Sequence, residues 1–289
     1  MNIFKSYRKG IQEATLRPSM VVVLWLVNFF FASVIYFLFS AMLKAAFGES
    51  LLASDLLQRP NMDVLIEFLT SSGTSLGMLV TAILILAVLF FLASIFVNGG
   101  ILNSLIGQRN YEGFAQVFFA GGGKFYGRFF RLSIYSLILW IPGVILYFII
   151  NVFFGIFTKN PLNEQRAFYI TLLRFAIVAF IIFLIKMIMD YARIKIATQD
   201  SRSVLRSLLE AAGFVFRKLG KTLTLYYLLG LTGLAAFLIY WGIRSTFQAG
   251  SSGTIWLAFI ISQLFIASRG WLRVAFQAGQ LRFFTLESF

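Results

Sequence analysis

The sequence predicts an all-α fold: a polytopic membrane helix bundle whose six transmembrane helices form three repeats of an amphipathic interfacial helix plus a helical hairpin. Three observations carry this. The 289 residues are 60% hydrophobic and 12% charged, whereas soluble domains are near half apolar and about a quarter charged. The apolar residues come in continuous blocks of twenty or more, not alternating ones, which excludes a soluble domain, a disordered chain and a β-barrel. A pattern of polar, small and basic residues recurs three times at the block ends.

A bilayer core of about 30 Å needs roughly 20 apolar residues in helix. Six stretches qualify: residues 20–43, 76–97, 132–154, 168–189, 223–242 and 254–267, the last extending towards residue 275. Basic Lys5, Arg8, Lys9 and Arg17 precede the first, as in a signal peptide, but its apolar run exceeds an h-region of about 7–15 residues. It reads as a retained anchor. Between the first two spans, residues 61–69 place Asp63 and Glu67 opposite Val64, Leu65 and Phe68, which predicts a short periplasmic helix resting on the bundle. Pro142-Gly143 is expected to kink the third span, because proline removes a backbone donor and crowds the turn before it. Gly230 and Gly233 are expected to permit close packing of the fifth.

Orientation follows from the loops. The segment before the first span, the loop with Arg109, Lys124, Arg128 and Arg131, the loop running from Arg193 to Lys221, and the C-terminal stretch with Arg269, Arg273 and Arg282 are all strongly basic. Residues 47–75 carry four acids and only Arg59. The positive-inside rule places both termini in the cytoplasm, in a multi-pass protein of the inner, cytoplasmic membrane. The net charge of +14 then belongs to helix ends that set topology and meet anionic lipid headgroups. No soluble basic domain exists to bind nucleic acid.

Three segments before the odd spans share a form: an amphipathic stretch ending in a base. They run from Phe4 to Arg17, from Phe114 to Arg128 and from Leu205 to Lys218. The even spans close on Asn98-Gly99-Gly100, Asp190-Tyr191-Ala192 and Gln277-Ala278-Gly279, each followed by Leu or Ile four positions beyond the polar residue. Asn98, Asp190 and Gln277 are 92 and 87 apart; Arg17, Arg128 and Lys218 are 111 and 90 apart. Residues 47–75 exceed residues 158–167 by 19, which absorbs the difference. The chain thus reads as a single integral membrane domain, 1–289, with repeat units near 1–105, 106–200 and 201–289.

The third interfacial segment sets Val204, Leu205, Leu208, Leu209, Ala212, Val215, Phe216 and Leu219 on one helical face, with Arg202, Arg206, Glu210, Arg217 and Lys218 on or beside the other. Such a helix lies in the headgroup plane or packs under the bundle as a lid. In the second segment, Gly121-Gly122-Gly123-Lys124 is no phosphate loop, since Phe125 follows and no strand precedes it. Gly123 and Gly127 suggest a close helix approach or a break in the helix, packing being favoured.

Charges inside a span cost about 2.5–3.5 kcal/mol each on insertion scales. Span four concentrates them. Lys186, Asp190 and Arg193 have the spacing for an ion-pair network within one helix, while Arg174 can snorkel outward. Either Lys186 and Asp190 belong to an anion or proton pathway, or they form a structural clamp with Asn98 and Gln277; the clamp is favoured. Arg269, Arg273, Gln277 and Gln280 make a polar stripe at the inner end of span six.

The chain has no His and no Cys, so zinc, haem, iron–sulfur and thiol chemistry lose their usual ligands, and a Ser–His dyad is excluded. Asp190 is the sole acid within a span, too few for aspartyl proteolysis. No catalytic residue, metal site or cofactor is expected. Asn98-Gly99-Gly100-Ile101-Leu102, Phe129-Phe130-Arg131-Leu132 and Asp190-Tyr191-Ala192-Arg193-Ile194 before an amphipathic helix resemble a group of uncharacterised bacterial six-span proteins. These are distantly similar to the membrane domain of glycerophosphoryl diester phosphodiesterases. The resemblance implies an inner-membrane domain without assigned chemistry, and the catalytic phosphodiesterase domain is absent. The expected function is a scaffold that binds lipid or other membrane proteins through its cytoplasmic helices. A transporter with its site near Lys186, Asp190 and the Pro142 kink is the alternative, disfavoured because the span centres are almost uniformly Leu, Ile and Phe.

Overall fold

The computed structural model describes residues 2–47, 73–107, 113–158, 164–246 and 252–287, and the described residues are entirely helix and short connections. Eight helices follow in order: α1 (Asn2–Leu16), α2 (Pro18–Phe47), α3 (Gly73–Ile106), α4 (Phe114–Thr158), α5 (Glu164–Gln199), α6 (Val204–Arg217), α7 (Leu219–Ser245) and α8 (Ser252–Glu287). All but α1 and α6 are long and apolar enough to cross a bilayer. Their central side chains point outward: Phe148, Phe175 and Ile239 are 62%, 72% and 64% exposed. In water such surface would drive aggregation, whereas lipid tails solvate it. The chain is a multi-pass helical membrane protein. The helix expected at residues 61–69, and Arg109, lie outside the described residues.

Packing divides the chain into two compact units, residues 22–95 and residues 1–21 with 96–289. In the smaller unit, Phe31 of α2 meets Phe90 of α3 edge to face at 5.2 Å. Its polar side chains bond within their own helices: Asn28 to the Leu24 carbonyl at 2.7 Å and Thr81 to the Gly77 carbonyl at 2.8 Å. That satisfies donors where lipid offers no partner.

The larger unit has its core at one end. Ile101, Leu102, Phe125, Phe129, Met187, Tyr191, Ile194, Tyr226, Val274 and Phe283 are all buried, while the distal halves of α4, α5, α7 and α8 stay largely exposed. Helix breaks follow local chemistry. Arg17 precedes Pro18, and proline disfavours helical backbone in the residue before it. Lys218 separates α6 from α7 with φ −121° and ψ 29°. The second amphipathic segment is different: it joins span three without a break, giving one helix of 45 residues that runs on through Pro142. No proline follows Arg128, so nothing interrupts the hydrogen-bond ladder there.

Candidate functional site

The C-terminal ends of α3, α5 and α8 each dock on another helix: α4, α6 and α1 respectively. At the end of α3, a Cβ on Gly100 would fall 2.7 Å from the Phe118 ring, and one on Gly99 3.0 Å from the Gly121 carbonyl oxygen of α4. Asn103 completes the seam, donating to the Val117 carbonyl at 2.9 Å. At the end of α5, Tyr191 packs on Phe214 of α6 at 5.3 Å, and Lys195 pairs with Glu210. At the end of α8, a Cβ on Gly10 of α1 would fall 2.6 Å from the Ala275 carbonyl oxygen and 2.9 Å from the Gly279 Cα. Trp271 donates to Thr15 at 3.2 Å beside it. The glycines that create the α3–α4 approach are Gly99, Gly100, Gly121 and Gly122; Gly123 and Gly127, expected from their spacing to do so, face open space. Likewise Gly233 sits against Leu272 while Gly230 meets nothing, and Gly143 beside Pro142 approaches Ile181 and Ile185.

The three bases expected to set topology share a second role. Arg17 donates to the Ser104 carbonyl near the end of α3 and pairs with Glu13 at 3.0 Å. Arg128 pairs with Asp200, just past α5, at 2.5 Å, and Lys124 adds a contact at 3.4 Å. Lys218 reaches the carboxylate and carbonyl of Glu287, the last residue of α8, at 2.6 and 2.7 Å. Each base therefore clasps the C-terminal end of the next even span, where the helix dipole favours positive charge. The Asp200 clasp is exposed. Its hydrogen bond from Arg128 holds the Asp200 carboxyl below the usual carboxylate range, and Lys124 acts in the same sense. Hydrogen bonds from Lys195 and Arg206 do the same for Glu210.

Between these seams lies a polar cluster. The Asn98 amide oxygen accepts from Arg273 at 3.0 Å and from Gln277 at 2.8 Å, filling both lone pairs. Asp190 accepts from Arg193 at 3.0 Å on one oxygen and from the buried Tyr226 hydroxyl on the other. Arg273 interacts electrostatically with both Arg193 and Asp190, so the two halves are continuous. Gln280 is buried beside Tyr226, and the Tyr191 hydroxyl is buried without a hydrogen bond among the described residues.

The structure brings together Asn98, Asp190, Arg193, Gln277 and Arg273 and leaves two residues out. Lys186 is exposed and makes no ion pair with Asp190 among the described residues, which corrects the expected Lys186–Asp190 pair. Its long aliphatic stem lets the ammonium leave the interior, whereas Arg193, three residues on, has the reach for a direct bond. Arg269 is exposed too, so the stripe on α8 divides: Arg269 faces out, while Arg273, Gln277 and Gln280 turn inward. Sequence reasoning did not reach Tyr226, since a tyrosine near a span end carries no mark of its partner. Ser104, Asp200 and Glu287 were legible only as flanking residues. Among the described residues, no three acids gather as metal ligands.

No protein-family model, curated protein or solved structure matches the chain.

Proposed function

We propose that the protein is a non-catalytic subunit of the cytoplasmic membrane that gathers anionic lipid at its basic, cytoplasmic end. The observation that carries this is the three-sided character of α6. Val204, Ser207, Leu208, Ala211 and Val215 are buried against the protein. Leu205, Leu209 and Phe216 form a second stripe at helical spacing that is exposed. Arg202, Arg206 and Arg217 lie beside that stripe, and all three are exposed. A helix with protein on one side, apolar side chains on the next and cations on the third matches the boundary between acyl chains and headgroups. The basic residues of α1, Lys5, Arg8 and Lys9, are likewise exposed. The transport reading draws no support from Lys186, which stands apart from Asp190.

The test uses the protein in nanodiscs containing spin-labelled phosphatidylglycerol or spin-labelled phosphatidylcholine. A several-fold preference for the anionic lipid is expected, lost in the Arg202→Gln, Arg206→Gln, Arg217→Gln variant at unchanged thermal midpoint. Equal association of both lipids with the wild type would sink the reading. A co-purifying protein that protects Leu209 and Phe216 would replace lipid with a partner.

A further inference from the structure

A cavity of about 260 Å³ opens at the same end of the larger unit. Ile106 of α3, Thr198 of α5 and Thr285 of α8 frame it, with Lys9 and Glu13 of α1 and Arg282 of α8. Ile106, Thr198 and Thr285 each lie eight residues beyond Asn98, Asp190 and Gln277. The cavity is therefore built where three equivalent span ends converge, roughly two helical turns out from the polar cluster.

Its charge is unbalanced. Glu13 is neutralised twice, by Lys9 at 3.2 Å and by Arg17 at 3.0 Å. Arg282 is exposed and has no ion pair among the described residues. Arg17 stands outside the cavity lining and holds Glu13, so the two lining cations, Lys9 and Arg282, are the complement of a phosphate group carrying about −1.5 to −2 near neutral pH. A carboxylate ligand would leave one of them unmatched. The unpaired member is an arginine, whose planar fork suits two phosphate oxygens at once. The volume holds a phosphate and a few attached heavy atoms, with Ile106 and neighbouring aliphatic side chains against the carbon portion.

We propose that this cavity binds a phosphate-bearing ligand, with Arg282 and Lys9 on the phosphate oxygens. The proposal stands on α1, α3, α5 and α8 and does not depend on lipid gathering by α6. The same chemistry is offered by a phosphomonoester lipid headgroup, that of phosphatidic acid, or by free phosphate, and the experiment separates the two. Protein purified in phosphate-free detergent is titrated calorimetrically with inorganic phosphate. In parallel it is placed in nanodiscs of phosphatidylcholine with phosphatidic acid, and lipid retained on release is counted by native mass spectrometry.

Binding of inorganic phosphate identifies a soluble source. Retention of phosphatidic acid without phosphate binding identifies a headgroup. In either case Arg282→Gln with Lys9→Gln weakens binding roughly tenfold or more, and Arg282→Lys recovers part of it. Arg131→Gln, which removes one charge at an exposed site on α4, leaves it unchanged. These substitutions are at exposed positions, and an unchanged thermal midpoint verifies folding. Binding of neither probe by the wild type, or binding undiminished in the folded double variant, overturns the proposal.

Discussion

Asp190 joins two helices, α5 and α7, through one carboxylate. It is the acceptor for Arg193 and for Tyr226, and Arg273 lies within its field. The Asp190–Arg193 pair is part-buried, so removing the carboxylate costs about 1–3 kcal/mol by leaving the guanidinium and the Tyr226 hydroxyl without their acceptor. Asp190→Ala is therefore expected to lower the thermal midpoint in mild detergent markedly, and Asp190→Asn less, since the amide oxygen still accepts from Tyr226. Equal midpoints for wild type and Asp190→Ala would show that the cluster carries no structural load. Asp200 behaves differently because it is exposed and has a positive φ of 47°, the left-handed conformation that ends a helix. Its carboxyl is held below the ordinary range in the folded state by Arg128 and Lys124. That stabilisation is complete above the unfolded value, about 3.9, and is lost as pH falls through the lower folded value. Melting curves of wild type and Asp200→Asn should differ by a constant amount above about pH 5 and converge at the acid end. A difference that persists unchanged at pH 2 would refute the clasp.

At the scale of elements, backbone approach decides which helices stay together. Gly10 faces a carbonyl oxygen and a Cα, neither of which can swing aside. Gly10→Ala should separate α1 from α8 and cost roughly 1–3 kcal/mol. Gly123→Ala, in open space on α4, should stabilise by up to about 1 kcal/mol through helix propensity. Thermal midpoints that shift alike for the two variants would contradict this assignment. The contrast also shows how far the sequence could be read. The six spans were legible because lipid imposes a minimum apolar length that few other environments demand. Asn98, Asp190 and Gln277 were legible because polar residues at the ends of long apolar runs stand out. The choice of Gly121 and Gly122 over Gly123 was not, since consecutive glycines look alike until the neighbouring helix has a direction. The uninterrupted α4 escaped for a related reason: amphipathic pattern says which face is wet, not whether the axis bends. Lys186 and Asp190 share a face in an ideal helix, but a long side chain at the edge of that face escapes to the surface.

For the whole molecule, the connections divide into near and far. The Arg128–Asp200 and Lys218–Glu287 contacts close each stretch of chain on itself, 72 and 69 residues apart. The α3–α4 and α5–α6 seams join neighbours. The docking of α1 on α8 joins opposite ends of the sequence, with Trp271 and Thr15 separated by 256 residues. Ribosomes add roughly 5–20 residues per second, so α1 waits on the order of 10–60 s for its partner to be made. Through that interval Ser6, Gly10 and Ala14, buried in the finished protein, have nothing to lie against. α1 is thus made long before the helix it docks on, and its small-residue face stays unmatched until α8 has been added.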